Sequence, residues 1–237
     1  LMREELRTEA DRSALSRHRE GRERPFLDDK VIAAWNGLMI SAMATAGTAF
    51  GEGRYIDSAI HAAAFVRSSM HGGGKLRRYF RDGRAQGRGF LDDHAFLAAG
   101  LIDLYQATSD REYLSWAEEL AESMIMDFAD DTRGGFFLSA GDPEAGPGKF
   151  LARSRPYHDG EVPSGNSAAA GVMLSLGTLL EKEHYLELAS GTVQAFSGEL
   201  SSAPSSAPVM LGVLEDIEGP SGEGPALGCT GIFCKKM

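Results

Sequence analysis

Two carboxylate pairs and one dense polar segment are the residues of this chain whose types and spacing could do chemistry. The pairs are Asp28-Asp29 and Asp92-Asp93; Asp29 and Asp92 each stand eight residues before a glycine that opens an apolar Gly-Leu-Met or Gly-Leu-Ile step. Ser164 holds nearly the same station before Gly171. Capping accounts for one such residue per helix, because Asp and Ser accept hydrogen bonds from free first-turn amides and suit the positive helix end. The second carboxylate of each pair is less well explained by capping. It points to a ring of acids able to act as general acid and base or to bind hydroxyls.

The polar segment runs from Arg153 to Ser167 and holds Arg153, Arg155, His158, Asp159, Glu161, Ser164 and Asn166 just before an apolar helix. Asn36 and Asn166 are the only asparagines in the chain, and both fall on apolar helices. Each is either a satisfied buried amide linking neighbouring helices or a ligand-binding group. His94 and His158 lie in the polar stretches and could transfer protons near neutral pH, whereas His18, His61, His71 and His184 read as solvated or helix-surface residues. Trp35 and the Phe136-Phe137 pair could stack on a sugar face, although core packing explains them as well. If the chain is catalytic, Asp92 or Asp93 and Asp159 or Glu161 form the acid–base pair, and Arg155 and Asn166 orient the ligand. Hydrolysis of a glycoside needs two carboxylates at a defined separation; epimerisation needs a base on each side of one carbon. A chain without catalysis, binding a ligand or a partner at the same mouth, is the competing reading. A Lys-bearing phosphate loop, a G-x-S-x-G elbow and an H-E-x-x-H helix are all missing from the sequence.

The elements that must position these residues are repeated. An apolar helix, a short turn and a tyrosine-led amphipathic helix recur three times, aligned on Gly37-Leu38-Met39, Gly100-Leu101-Ile102 and Gly171-Val172-Met173. The second helices align on Tyr55-Ile56, Tyr113-Leu114 and Tyr185-Leu186. Such self-similarity marks stacked helical hairpins. The hairpins are expected over 29–70, 92–128 and 164–200, with a fourth inner helix over 208–217. Short strands are expected at Lys75–Arg81, Gly135–Ala140 and Phe150–Arg155, all in the connections between hairpins. The chain is thus expected to be all-α, part of an (α/α)6 toroid with β-hairpin insertions: a charged lead-in helix over 1–24, the barrel portion over 25–218 and an irregular tail over 219–237. The mid-helix glycine, which costs about 1 kcal/mol against alanine, implies close approach of neighbouring inner helices.

Composition narrows the function classes. The chain has 237 residues, 43% hydrophobic and 24% charged, and a formal charge of −10, which argues against nucleic acid. Residues 31–51 carry no charge, yet their alanine, glycine and hydroxyl content suits a buried helix better than a membrane span. Cys229 and Cys234 are the only cysteines and lack metal-ligand spacing. With no apolar leader in view, a cytoplasmic protein without metal or cofactor is expected.

With these segments in place, the chain resembles the YyaL-type family of thioredoxin-domain-containing proteins related to spermatogenesis-associated protein 20. The resemblance rests on residues 24–40 (Arg-Pro-Phe-Leu-Asp-Asp-Lys-Val-Ile-Ala-Ala-Trp-Asn-Gly-Leu-Met-Ile), on Leu91–Phe96, on Gly134–Phe137 and on Asp159–Asn166, in that order. It implies an (α/α)6 barrel similar to those of six-hairpin glycosidases and N-acylglucosamine 2-epimerases, and a thioredoxin-like domain as partner. It places Asp28, Asp29, Trp35, Asn36, Asp92, Asp93, Asp159, Ser164 and Asn166 at the barrel mouth, facing a sugar or similar polyhydroxylated ligand. His94 stands where the family commonly has tyrosine. Three hairpins where the barrel needs six, and no thioredoxin-like segment, make this chain an expected fragment.

Overall fold

The structure, a computed structural model, describes residues 9–141 and 153–219. Helix α1 (Glu9–Glu20) is polar all round and buries no residue, as its charge pattern predicts. The three hairpins follow: α2 (Ala33–Phe50) with α3 (Gly53–Ser69), α4 (Leu91–Thr108) with α5 (Arg111–Phe128), and α6 (Gly165–Leu180) with α7 (Glu183–Ala195). A short helix α8 (Ser197–Ser202) and a single 3-10 turn lead to α9 (Pro208–Glu218), the expected fourth inner helix. Each hairpin turns through one left-handed residue, Gly51 (φ +66°), Ser109 (φ +62°) and Glu181 (φ +54°), whose neighbouring amides close back on the end of the inner helix.

The inner helices stand in a row in the order α2, α4, α6, α9, and α3, α5 and α7 back them. The repeat glycines explain how closely they pack. A Cβ on Gly37 would lie 2.4 Å from the backbone of Phe96 and Leu97, and one on Gly100 would lie 2.5 Å from the Gly37 carbonyl. The two glycines therefore face each other across the α2–α4 contact. The core fills the space between the layers with Ile40, Leu97, Leu101, Leu120, Phe128, Leu176 and Tyr185. Helix α4, flanked on both sides, is buried almost throughout. Helix α2 has one open flank, where Trp35 is 64% and Met39 54% exposed.

Strand β3 (Lys75–Arg81) forms where expected. It turns at Asp82-Gly83, both with positive φ, into β4 (Arg84–Arg88). It also pairs antiparallel with β1 (Val31–Ile32), opposite Phe80 and Tyr79, and with β2 (His71–Gly72), opposite Leu76 and Lys75. The β1 pairing corrects the first hairpin. Because 31–32 are extended, α2 starts at Ala33 with Ile32 as its N-cap, and Asp28-Asp29 sit in an exposed loop rather than at the helix start.

A second correction concerns Gly135–Ala140, which makes only a single bridge, Ala129 to Phe136. Gly134 and Gly135 take positive φ, and side chains of Asn166 and Arg153 occupy carbonyls that a ladder would need. Of the expected strand Phe150–Arg155, residues 150–152 lie outside the described residues. Ser154 accepts a single bond from Leu138 instead of joining a ladder. The tail beyond Gly219, with both cysteines, also lies outside the described residues. Among the described residues, no helix is long and apolar enough to cross a membrane.

Candidate functional site

Helix α4 brings its amino end between those of α2 and α6, and Asp93 ties it to α2. Its Oδ2 accepts from the Phe90 amide (2.9 Å) at the start of its own helix, and its Oδ1 accepts from the Ala34 amide (3.1 Å) in the first turn of α2. Arg78 of β3 donates a third bond to Oδ2 at 3.0 Å. Ile32, the N-cap of α2, has no side-chain acceptor of its own, so the neighbouring helix supplies one. Burial pushes the Asp93 carboxyl up to about 6, and the Phe90 and Ala34 amides and Arg78 pull against that rise. Asp93 is fully out of solvent.

Asp159 repeats the arrangement at the other end of the row. Its Oδ1 accepts from the Ser164 amide (2.7 Å), where α6 begins, and its Oδ2 from the Val209 amide (2.9 Å) in the first turn of α9. Ala207, the N-cap of α9, likewise has no side-chain acceptor. Ser164 caps α6 by accepting from Ser167 N at 3.0 Å. Two carboxylates thus stitch neighbouring inner helices together through second-position amides (Ala34 and Val209), each relieving an apolar N-cap.

Asp92 differs from both. It lies in the first turn of α4, where the helix dipole favours negative charge, and its side chain is 29% exposed. Its Oδ1 is shielded from solvent without a hydrogen-bond donor, 3.8 Å from the Arg78 guanidinium. A Cβ on Gly165 would lie 3.4 Å from the Asp92 amide, so α6 starts directly beside it. Arg78 lies over the Phe90 ring at 4.4 Å and serves Asp92 and Asp93 together. Reading the sequence for motifs misses Arg78. The alternation of β3 contained the signal, since Leu76, Arg78 and Phe80 share one strand face.

Asn166 is a satisfied clip. Its Oδ1 accepts from Phe136 N (2.7 Å), and its Nδ2 donates to the carbonyls of Phe136 (2.9 Å) and Pro156 (2.8 Å). Arg155 packs against the same turn, 3.5 Å from the buried Asp130 carboxylate, with its guanidinium 4.9 Å from the Phe196 ring centre. Asp130, absent from the sequence-based candidates, accepts from Thr132 and Arg133. Those bonds outweigh desolvation and hold its carboxyl down to about 2. Arg153 donates to the carbonyls of Ser139 and Asp127 and lies over Phe137. Arg155 and Asn166 thus fix the loop that leads into α6.

The remaining candidates divide by exposure. Asp28 pairs with Lys30 (2.8 Å), whose bond holds its carboxyl below the ordinary value, and Asp29 pairs with Arg81 (2.9 Å). Trp35 is open to solvent in the first turn of α2, and Asn36 beside it donates to the Ile32 carbonyl at 2.8 Å. Glu161 and His158 are exposed on the loop before α6. His94 is buried, with Nδ1 2.7 Å from the Phe90 carbonyl and its ring against Phe128; burial lowers its pKa. Phe136 is core. His71 corrects its solvated reading, because it is half-buried in β2 and bonded to Trp116. Among the described residues, no group of three His, Cys, Asp or Glu could hold a metal ion. An apolar groove between α7 and α9, lined by Val193, Leu200, Leu211, Leu214 and Ile217, includes none of the residues expected at the mouth.

No family model matches the chain. Human spermatogenesis-associated protein 20 is 34% identical to it over 206 residues, which cover 83% of this chain and 26% of that protein. The chain therefore spans about a quarter of the length of the curated relatives it matches. Among solved structures, a sugar epimerase from a ruminal bacterium superposes with a TM-score of 0.61 at 12% identity, covering 72% of this chain and 46% of that one. A family 76 glycoside hydrolase from a bovine Bacteroides thetaiotaomicron strain gives a TM-score of 0.59 at 15% identity, covering 71% and 35%. At these identities the likeness shows the fold, that of the (α/α)6 barrels. The chain belongs to the family of spermatogenesis-associated protein 20, as a portion of its (α/α)6 barrel.

Proposed function

We propose that the amino ends of α2, α4 and α6 form the mouth of a carbohydrate-active site, with Asp92 as its working carboxylate. The observation that carries this reading is the contrast within the polar ring. Asp93 and Asp159 spend their oxygens on backbone amides, whereas Asp92 keeps an oxygen without a donor beside Arg78. A carboxylate at a helix amino end, partly screened from water and next to a guanidinium, suits acid–base work or hydroxyl recognition. Glu161, exposed on the loop before α6, is the second carboxylate of the pair. Trp35 offers an open ring for a sugar face, and Asn36 stands beside it. Arg155, Ser164 and Asn166 hold the loop that presents Glu161. The sugar epimerase and the glycoside hydrolase of the same fold support a carbohydrate as ligand and leave both routes, hydrolysis and epimerisation, as the assays to run.

One observation favours a second reading, a non-catalytic barrel that docks a partner such as the thioredoxin-like domain implied by the family resemblance. Phe26, Leu27, Trp35 and Met39 are all more than half exposed, an apolar surface of the kind that partners cover. A thermal melt of the chain with a panel of mono- and disaccharides, D-mannose and cellobiose included, separates the two. A rise in melting temperature with one sugar class supports the carbohydrate site. Indifference to every sugar, together with a rise on adding the thioredoxin-like domain of a longer relative, supports docking.

A further inference from the structure

A cluster away from the mouth ties the outer helices to the strand that supplies Arg78. His71, in β2, sits between α3 and α5. Its Nδ1 accepts from the Trp116 indole at 3.0 Å and lies 2.9 Å from Arg67 Nη1. An indole N–H and a guanidinium can only donate, so Nδ1 is the acceptor and the ring proton sits on Nε2. The imidazole and indole planes are inclined by 22°, with ring centres 5.8 Å apart, and Trp116 is only 5% exposed. Arg67 lies over the same indole at 4.9 Å and pairs with Glu119 of α5.

The other side of His71 leads to the mouth. It pairs across the ladder with Leu76, whose carbonyl accepts from Gly89 at 2.9 Å and whose side chain is buried. Two residues on, and on the same strand face, Arg78 holds Asp93 and faces Asp92. One neutral imidazole therefore joins the outer layer to the strand that neutralises the mouth carboxylates.

We propose that His71 is a proton-operated clasp: on acidification its Nδ1 gains a proton, both donors lose their acceptor, and β2 and β3 come away from α3 and α5, taking Arg78 from Asp92 and Asp93. The charges facing the ring are Arg67 from α3, which repels the imidazolium, and Glu119 from α5, which attracts it; the titratable His94 lies beyond on α4. Burial lowers the pKa of His71 and Arg67 lowers it further, with Glu119 opposing. The folded state thus favours the neutral ring. The stability this adds is fully present above the ordinary histidine value near 6.5 and is lost as pH falls below it. What the release does to a ligand rests on the mouth reading above, whereas the release itself does not.

The test needs no ligand, so its failure is separate from failure of the carbohydrate reading. Amide hydrogen exchange of the segment containing Leu76–Phe80 is measured on the chain at pH 7.5 and pH 5 and corrected for intrinsic rates. The wild type is expected to exchange about tenfold faster at pH 5, as a local opening would. His71→Gln keeps an oxygen acceptor for both donors but cannot titrate, so its acceleration at pH 5 is expected to be much smaller than that of the wild type. The remainder comes from Asp93, whose carboxyl, pushed up to about 6, also gains a proton over this range. No acceleration in the wild type, or equal acceleration in His71→Gln, overturns the clasp. If His71→Gln does not fold, an NMR titration of the wild type decides. The His71 ring and the β3 amides must shift with one midpoint below 6.5, and two separate midpoints overturn the proposal.

Discussion

The tetrapeptide Phe-Leu-Asp-Asp occurs twice in this chain, at 26–29 and at 90–93, and the two copies have opposite fates. In the first, Phe26 is 79% and Leu27 76% exposed, and both acids make surface ion pairs. In the second, Leu91 and Asp93 are completely buried. The difference lies in what each copy meets. Gly89 is bonded to Leu76, Leu91 N donates to the Leu138 carbonyl, and α2 offers Ala34 N to Asp93, so the second copy winds into the first turn of α4. The first copy leads into β1, which β3 claims as a partner, and its helix begins only after that strand. Local sequence supplies the cap, and the neighbouring helix decides whether it is used.

That comparison can be broken at its strongest point by Asp93→Ala. It removes three bonds, strands one buried and one part-buried amide and leaves Arg78 without its closest partner, so a loss of about 3–5 kcal/mol is expected in urea denaturation. Asp159→Ala removes two amide bonds at a part-buried site and is expected to cost about 1–2 kcal/mol, with faster amide exchange concentrated in the first turn of α9.

Asp103 sharpens the point, since it is a buried carboxylate that holds no helix end and accepts from Ser41 across the α2–α4 contact. Burial raises its pKa to about 6. A carboxyl that holds its proton more tightly when folded adds relative stability at low pH, and that advantage is lost as pH rises through the folded value. Asp103→Asn is therefore expected to match the wild type near pH 4 and to exceed it by about 1–3 kcal/mol at pH 8. A stability curve with the opposite slope would contradict this. Asp29→Ala, at the exposed copy, is expected to change stability by less than about 0.5 kcal/mol.

Much of the architecture was legible because it is repeated. The glycine steps and tyrosine-led helices mark three hairpins whatever the tertiary detail, and β3 shows itself by its bulky residues and its Asp-Gly turn. The site was legible only as a list of residues. Asp92 and Asp93 are adjacent and chemically identical in sequence. Only the arrival of Ala34 and Phe90 amides at one of them, and of neither at the other, separates the bracket from the carboxylate that keeps an oxygen without a hydrogen-bond donor. Arg155 reads as a ligand group, and Asn166 as either a ligand group or a buried amide, because a polar run before a helix gives no hint that the 134–136 turn will fold back onto it. Arg78 escaped notice and His71 was read as solvated for the same reason, since each acquires its meaning from a strand pairing that joins segments distant in the chain.

The most direct test of Asp92 as the working carboxylate is a thermal melt of Asp92→Asn beside the wild type, each with and without the saccharide panel. The expected result is an unliganded melting temperature within a few degrees of the wild type, as for a change of about 1 kcal/mol or less, together with loss of the sugar-induced rise. An undiminished rise in Asp92→Asn, or a collapse of its fold like that expected for Asp93→Ala, would contradict the assignment.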